Sequence, residues 1–318
     1  MKLLILSLLG AISFLIYGFT LKAKTNLPEQ KQYETEYVYV IIMDGPRFTE
    51  TFGDTSYTHI PHLGKELKQE GVLLYDFRNN GSTYTNAGHT AICTGNYQSI
   101  SNDGNELPKN PSMFQYYLKE KAVDKTDAWI VSSKGKLEIL ANTKDKKWWN
   151  EYMPYTYCGP NGNSAEYGND LFTFNKVNSL ISGENPPHLM LVNFLGADTY
   201  AHANHWDDYL TCIKRIDGYI YEIWNNIQSN EKLRNKTTLI VTNDHGRHLD
   251  GHKDGFVNHG DNCEGCRHIS LLGLGPDFKK DVVIKNYGDQ LDISATIAEM
   301  LHFCMPSGKG KVMTELFK

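Results

Sequence analysis

The chain has 318 residues, enough for one large α/β domain or two small ones. Hydrophobic residues make up 40% and charged residues 22%, an ordinary globular composition that argues against disorder and low complexity. The formal net charge is −5 and Lys and Arg form no dense run, so we predict no nucleic-acid-binding patch.

The N-terminus differs from the rest of the chain. Met1 and Lys2 precede an uncharged apolar run over 3–21, and polar sequence follows. This pattern predicts an export signal over residues 1–24. The run is also long enough to span a bilayer as an uncleaved anchor. We therefore expect a periplasmic or secreted protein that contacts a membrane only through such an anchor, with a folded catalytic domain over 30–318.

Short apolar runs alternate with longer amphipathic segments from residue 35 onward. The runs predict buried strands at 37–43, 128–131, 188–194, 238–241 and 269–274. The amphipathic spacing predicts helices at 111–121, 170–181, 207–227 and 291–303. Strands that alternate with helices predict an α/β fold, a three-layer α/β/α sandwich with a mostly parallel central sheet. The aromatic-rich segment 143–169 predicts a small cap insertion or an inert surface loop.

Acidic side chains follow three of the predicted strands. Asp44 follows the first strand, Asp198 and His202 follow the third, and Asp244 and His245 follow the fourth. Ligands of open α/β sheets bind at the carboxyl ends of strands, and zinc takes carboxylate oxygen and imidazole nitrogen. If the chain from Asp198 is helical, Asp198 and His202 share one face at i and i+4. The pattern therefore predicts a metal site at this edge of the sheet.

A small-residue segment at 79–95 predicts a nucleophile at the start of a helix. Thr85 would lie at the N-terminus, where backbone N–H groups and the helix dipole favour an anion. A hydroxyl beside a divalent metal can attack phosphorus. The local sequence alone does not separate Thr85 from Ser82, Thr83 or Thr90.

Five segments in order resemble one family of enzymes: MDG at 43–45, TNAGHTAICTG at 85–95, DTYAH at 198–202, NDHG at 243–246 and NHGD at 258–261. They are similar to the alkaline phosphatase superfamily, which includes phosphatases, nucleotide pyrophosphatase/phosphodiesterases and sulfatases. The resemblance covers residues 37 to about 303. It implies a metal-dependent phosphoric ester hydrolase.

The resemblance implies two Zn²⁺ ions per chain, with other divalent ions such as Mn²⁺ as the alternative, and a phosphothreonine intermediate. The ion that activates the nucleophile would be held by Asp44, Thr85, Asp244 and His245. The ion at the leaving oxygen would be held by Asp198, His202 and His259. Nearby histidines that are alternatives to the last of these ligands are His248, His252 and His268.

The resemblance also narrows the substrate. Thr85 is followed by Asn-Ala-Gly, unlike the modified Cys/Ser motif of sulfatases, and Gly88 favours a phosphomonoesterase over a phosphodiesterase. Phosphate-binding residues would be Asn105, with Asn102 as a rival, together with the pair Lys134 and Lys136, where the family has Lys-x-Arg.

We expect a phosphorylated small-molecule substrate for such an enzyme. The alternatives to a phosphomonoesterase are a phosphodiesterase or nucleotide pyrophosphatase, a membrane-anchored phosphotransferase, and a non-catalytic metal-binding protein.

The six cysteines are Cys93, Cys158, Cys212, Cys263, Cys266 and Cys304. Only Cys263 and Cys266 form a local pattern, a Cys-x-x-Cys flanked by His259 and His268. It predicts either a small structural zinc site or a short disulfide, which an exported protein permits. We expect the disulfide.

Overall fold

The computed structural model of the protein describes residues 31–160 and 166–318. Eight strands form one sheet in this part of the chain. In chain order they are β1 (Tyr37–Met43), β2 (Gly71–Arg78), β3 (Ala128–Ser132), β4 (Tyr155–Cys158), β5 (Leu189–Phe194), β6 (Thr237–Thr242), β7 (His268–Leu274) and β8 (Val282–Asp289). Across the sheet the order is β4-β3-β5-β1-β6-β7-β2-β8. The export signal or anchor predicted over 1–24 lies outside the described residues.

Helices connect the strands. They are α1 (Lys68–Glu70), α2 (Thr85–Thr94), α3 (Met113–Lys121), α4 (Asp170–Ile181), α5 (Gly196–His202), α6 (Trp206–Ser229), α7 (Glu264–Arg267) and α8 (Asp292–Met300). A π-helical turn, His62–Leu67, leads into α1. Short 3₁₀ turns lie at Phe48–Glu50, Lys125–Asp127, Gly135–Ala141, Gly255–Val257 and Thr314–Leu316. No helix within 31–160 or 166–318 is long and apolar enough to cross a membrane.

The sheet is mostly parallel. Strand β1 pairs in parallel with β5 and β6, and β3 pairs in parallel with β4 and β5. Only β7 runs against its neighbours, β6 and β2, whereas β2 and β8 are parallel. Met43 is paired with Phe194, and Ile42 with Thr242. Strands β1, β5 and β6 therefore end at the same edge of the sheet, and the segments that follow them meet there.

Two apolar cores lie on the two faces of the sheet. Val40 and Ile42 of β1 belong to the core that also contains residues of α2, α3 and α8. Tyr39 and Ile41, on the opposite face of the same strand, belong to the core with α4, α5 and α6. Each fully buried aliphatic side chain contributes roughly 1.5–3 kcal/mol to stability. The packing of helices against both faces of the sheet confirms the predicted three-layer α/β/α sandwich.

Three strands of the sheet were not predicted: β2, β4 and β8. Most residues of β8 are exposed or half-buried, because it is an edge strand, so its apolar content is low. Strand β2 ends in Asp76 and Arg78, which pair with each other and interrupt its apolar run. Strand β4 has only four residues and lies within the segment 143–169, where it adds an edge strand to the sheet. A cap function for that segment stays a prediction.

Candidate active site

Three acidic side chains converge at the carboxyl edge of the parallel strands. Asp44 directly follows β1, and Asp244 closely follows β6. Asp198 lies in the first turn of α5, which follows β5. Because β1 lies between β5 and β6, the three carboxylates meet, and all three are buried.

Gly45 makes room for this convergence. Its φ of +68° is in the left-handed region that favours glycine. A Cβ atom at this position would lie 2.9 Å from Nη1 of Arg247 and 3.0 Å from Oδ1 of Asp198. The backbone N–H of Gly45 donates to Oδ1 of Asp244 at 3.2 Å. A side chain here would displace the charged groups of the site.

Asp198, His202 and His259 form one group of potential metal ligands. Asp198 Oδ1 lies 3.3 Å from Nε2 of His202 and 3.5 Å from Nε2 of His259. His259 Nδ1 donates to the carbonyl oxygen of Thr83 at 2.7 Å, which leaves Nε2 with its lone pair. Burial lowers the pKa of His259 to about 4, so the imidazole is neutral, the form that binds metals.

The structure brings His259, and not its three rivals, to this group. His248 and His252 both lie against Asp261. His268 stacks on Phe48 with ring centroids 3.8 Å apart.

Asp44, Asp244 and His245 lie deeper, and all are fully buried. His245 Nε2 lies 3.3 Å from Oδ2 of Asp244 and 3.8 Å from Oδ1 of Asp44. Burial, followed by the nearby carboxylate of Asp44, raises the pKa of Asp244 to about 6. Burial also lowers the pKa of His245 well below its usual value, so this imidazole is neutral.

His89 joins this deeper group, although we did not predict it as a site residue. Its Nδ1 donates to the carbonyl oxygen of Thr85 at 2.9 Å and lies 3.3 Å from Oδ2 of Asp244. Asn193 at the end of β5 donates to both His89 Nε2 (3.0 Å) and Asp44 Oδ2 (2.9 Å). The ligand atoms of Asp44, His89 and Asp244 lie within 4.8 Å of one another. The signals in the sequence were the position of His89 one turn after Thr85 and its place in the segment TNAGHTAICTG, which resembles the family.

Thr85 is the first residue of α2, as predicted, and its side chain is buried. The ammonium of Lys134 donates to its hydroxyl oxygen at 3.1 Å. Asn102 accepts a hydrogen bond from the backbone N–H of Asn86, in the same first turn (3.0 Å). The Thr85 hydroxyl therefore lies at a helix N-terminus and beside the carboxylates.

Gly88 is explained by packing of α2 against the loop after β6. A Cβ at Gly88 would lie 2.5 Å from the carbonyl oxygen of Asp244. Close packing therefore explains why position 88 is a glycine, independently of the substrate.

Two buried cations balance the carboxylates. Lys134 Nζ lies 2.8 Å from Oδ1 of Asp44 and 2.7 Å from Oδ2 of Asp198. Burial alone would lower the pKa of Lys134, but the carboxylates of Asp198, Asp44 and Asp244 outweigh burial and raise it above the usual value. The guanidinium of Arg247 is an ion-pair partner of Asp198. Its position after the NDHG segment gave no sign of its burial.

These residues fit divalent metal ions. Nε2 of His245 and Oδ2 of Asp244 are buried and have no hydrogen-bond partner within the described ranges. Such atoms are costly to bury unless a partner binds them. Carboxylate oxygen and neutral imidazole nitrogen are ligands for zinc and for other divalent ions. Moreover, the oxygen atoms of Asp44, Thr85 and Asp198 already surround one positive charge, the Lys134 ammonium.

A cleft of about 230 Å³ opens above the Thr85 hydroxyl. It is lined by Thr85, Asn102, Lys136, Tyr167, Asp198, Thr199, His202 and His259. Asn105 is exposed and does not line this cleft. The structure therefore brings Asn102, the rival residue, to the position that the resemblance implied for Asn105. Lys136 Nζ donates to the carbonyl oxygen of Asn102 at 3.2 Å.

Lys136 is expected to make substrate binding depend on pH. Burial, followed by the charge of Lys134, lowers the pKa of Lys136 to about 8, so its charge is present below this pH and lost above it. For an anionic ester, KM should rise with pH as this charge is lost, by up to about tenfold per pH unit. In Lys136→Arg the cation does not titrate, so KM should stay flat. Steady-state kinetics from about pH 7 to about pH 9.5 test this, and the same rise in Lys136→Arg would contradict it.

A sulfatase family model matches residues 36–303. The chain belongs to the sulfatase family, within the alkaline phosphatase superfamily. This superfamily contains phosphoester hydrolases, sulfatases and transferases, and its members use divalent metals.

The chain is similar in sequence to GPI ethanolamine phosphate transferase 2 of Debaryomyces hansenii, with 21% identity over 96% of this chain. The match covers 36% of that protein, so the chain spans little more than a third of it. Alkaline phosphatase PafA has a similar structure, with a TM-score of 0.67, 12% identity, and coverage of 91% of this chain and 100% of that chain. Murine ectonucleotide pyrophosphatase/phosphodiesterase 5 has a TM-score of 0.59 and 15% identity, with coverage of 89% of this chain and 100% of that chain. At these identities the likeness of the solved structures shows the fold.

Proposed function

We propose that the protein is a divalent-metal-dependent hydrolase of phosphate monoesters, with Thr85 as its nucleophile. The observation that carries the proposal is the 3.1 Å contact between the Lys134 ammonium and the Thr85 hydroxyl, inside a group of buried carboxylates. A hydroxyl at a helix N-terminus thereby lies next to oxygen atoms that already surround a cation. A cleft with a second buried lysine, Lys136, opens above it.

Each ligand group supports part of the proposed chemistry. The deeper ion would be held by Asp44, Thr85, Asp244 and His245. The outer ion would be held by Asp198, His202 and His259. Bound zinc, or another divalent ion, would lower the pKa of the Thr85 hydroxyl and neutralise charge on the ester oxygens.

The proposed reaction has two displacements at phosphorus. The Thr85 hydroxyl loses its proton to solvent and its oxygen attacks phosphorus, the bond from phosphorus to the alcohol oxygen breaks, and that oxygen takes a proton from solvent. Backbone N–H groups of the first turn of α2, other than that of Asn86, which donates to Asn102, and the ammonium of Lys136 would hold the remaining phosphate oxygens. Water then attacks the phosphothreonine and loses a proton to solvent, the bond to the Thr85 oxygen breaks, that oxygen takes a proton, and inorganic phosphate leaves.

The charge of the cleft favours a monoester. A monoester carries up to two negative charges on its phosphate group, and a diester carries one. The Lys134 ammonium lies 3.1 Å from the Thr85 hydroxyl, and Lys136 lines the same cleft as Thr85. Gly88 carries no information on this preference, because close packing against Asp244 explains the glycine.

A transferase is the second candidate function. The curated protein whose match covers 96% of this chain is named as an ethanolamine phosphate transferase. In that case an alcohol, in place of water, would accept the group from Thr85.

Hydrolysis of p-nitrophenyl phosphate and of its bis-ester, with and without chelator, tests the proposal. We expect faster turnover of the monoester and loss of turnover with chelator. Lys136→Met should lower kcat/KM for the monoester by about ten- to a hundredfold, because it removes a charged hydrogen-bond donor, and should affect the bis-ester less. Lys144→Met is the matched control, since Lys144 is exposed and pairs with Glu106.

Three outcomes would overturn the proposal that the protein is a phosphomonoesterase. Preferred turnover of the bis-ester would indicate a phosphodiesterase. Turnover only of p-nitrophenyl sulfate would indicate a sulfatase. If an alcohol is added at low concentration and the main product is the phosphorylated alcohol, not inorganic phosphate, the protein is a transferase.

A further inference from the structure

A second group of potential metal ligands lies outside the site described above. Its members are His248, Asp261, Cys263 and Cys266. One ligand atom from each lies within 4.8 Å of the others. No member contributes to the catalytic ligand groups, and none was used in the proposed reaction.

His248 is oriented as a metal ligand. Its side chain is 4% exposed, and its Nδ1 donates to the carboxylate of Asp254 at 2.7 Å. This contact places a proton on Nδ1, so Nε2 is the nitrogen available to a metal ion. Nε2 lies 3.2 Å from Oδ1 of Asp261, yet it has no hydrogen-bond partner among the residues that the structure describes. A histidine held by a carboxylate through its other nitrogen is typical of zinc sites.

Asp261 is also fixed from outside the group. Its Oδ2 accepts from His252 at 2.7 Å and lies 2.6 Å from Nζ of Lys253. Its Oδ1 faces the group. This oxygen lies 3.2 Å from His248 Nε2, although the two atoms form no hydrogen bond in the described structure. A cation between the two atoms would bind both.

The two cysteines complete the group. Both are free thiols in the structure, so the expected disulfide is not formed there. Cys266 is fully buried, with its sulfur 3.7 Å from Oδ1 of Asp261, and the backbone N–H of Cys263 donates to the same oxygen at 3.1 Å. The Cys-x-x-Cys spacing is typical of structural zinc sites, and thiolates select zinc over magnesium, calcium and manganese.

We propose a structural zinc site, separate from the catalytic centre, with four ligands: His248, Asp261, Cys263 and Cys266. The number of ligands is that of closed structural zinc sites. Two thiolates, a carboxylate and Zn²⁺ sum to one negative charge, and Lys253 balances it at 2.6 Å from Asp261. Binding releases the two thiol protons to solvent, so the affinity for zinc decreases as the pH is lowered.

The site would stabilise the loop that carries two catalytic ligands. His248 follows His245 by three residues, and Asp261 follows His259 by two. Backbone hydrogen bonds already join the two sides of the loop, from Gly246 N–H to the carbonyl oxygen of Cys266 (2.8 Å) and from His248 N–H to that of Asn258 (3.0 Å). Zinc would add a bond between the same two sides and so fix both catalytic imidazoles.

Cobalt substitution tests the proposal without relying on activity. The catalytic ligands have only oxygen and nitrogen donors, so a thiolate-to-cobalt charge-transfer band in the near ultraviolet reports the proposed site alone. We expect this band in the cobalt-loaded wild-type protein, its loss in Cys266→Ser, and its retention in Cys304→Ser, a matched control at an exposed cysteine. The band should also survive in His202→Ala. Its absence from the wild-type protein would overturn the proposal.

Thiol titration of the protein as isolated separates zinc from a disulfide. With zinc bound, Cys263 and Cys266 should react with a thiol reagent only after a chelator is added. A disulfide would release them only after a reductant, which would overturn the proposal. Immediate reaction of both thiols without chelator would also overturn it, because it would show that no metal ion protects the two cysteines.

Discussion

Replacement of Thr85 by alanine is expected to lower kcat/KM for phosphate esters by at least about a thousandfold. The reason is that Thr85 supplies the attacking oxygen, and within the described residues no second hydroxyl is hydrogen-bonded to the Lys134 ammonium. Thr85→Ser, which keeps a hydroxyl, should retain part of the activity. Kinetics with p-nitrophenyl phosphate and saturating zinc measure the effect.

Thr90 provides the control on the same helix. Its hydroxyl is buried and has no hydrogen-bond partner in the described chain, so Thr90→Ala removes the same atoms without touching Lys134. Near wild-type activity of Thr90→Ala is expected. If Thr85→Ala stays active while Thr90→Ala does not, the nucleophile has been assigned to the wrong residue.

Replacement of Lys134 by methionine is expected to destabilise the metal-free protein by about 3 kcal/mol. The change leaves the buried carboxylates of Asp44 and Asp198 without the ammonium that lies 2.8 Å and 2.7 Å from them. The pKa of Lys134 is raised, so its charge and its full contribution to stability are present at neutral pH and are lost only as pH rises through that pKa. The free energy of unfolding by denaturant in the presence of chelator measures the loss.

The same measurement with saturating zinc shows whether the loss of stability in Lys134→Met comes from unpaired carboxylates that a metal ion can neutralise. Divalent ions would neutralise the carboxylates that Lys134 pairs with, so the loss should be much smaller when metal is bound. Lys136→Met is the matched control, because within residues 31–160 and 166–318 its ammonium has one hydrogen bond, to the carbonyl oxygen of Asn102. An equal loss with and without metal would mean that these carboxylates do not bind ions.

The sequence predicted the elements that carry buried, regular patterns. The bounds of β1 and α4 match the predictions, because a continuous apolar run and a clear helical period specify them. The edge strands β4 and β8 were missed, because partial exposure leaves them without such a pattern. Local periodicity therefore predicted the centre of the fold better than its margins.

The site was predictable where chain order determines geometry. Asp44, Asp198 and Asp244 each follow a central strand, so parallel pairing alone brings them together. The burial of Lys134 and Arg247 depends on contacts between distant segments, and no local pattern encodes it. The same holds for the choice of Asn102 over Asn105 and of Asp261 and His248 as partners of the cysteines.

Mass spectrometry of the protein quenched in acid during turnover tests the central claim most directly. Acid preserves a phosphothreonine, so a phosphorylated peptide that contains residues 79–95 should accumulate with substrate present. The proposed mechanism predicts phosphate on Thr85, and none in Thr85→Ala. Phosphate on Ser82, Thr83 or Thr90, or turnover without any phosphorylated peptide, would contradict it.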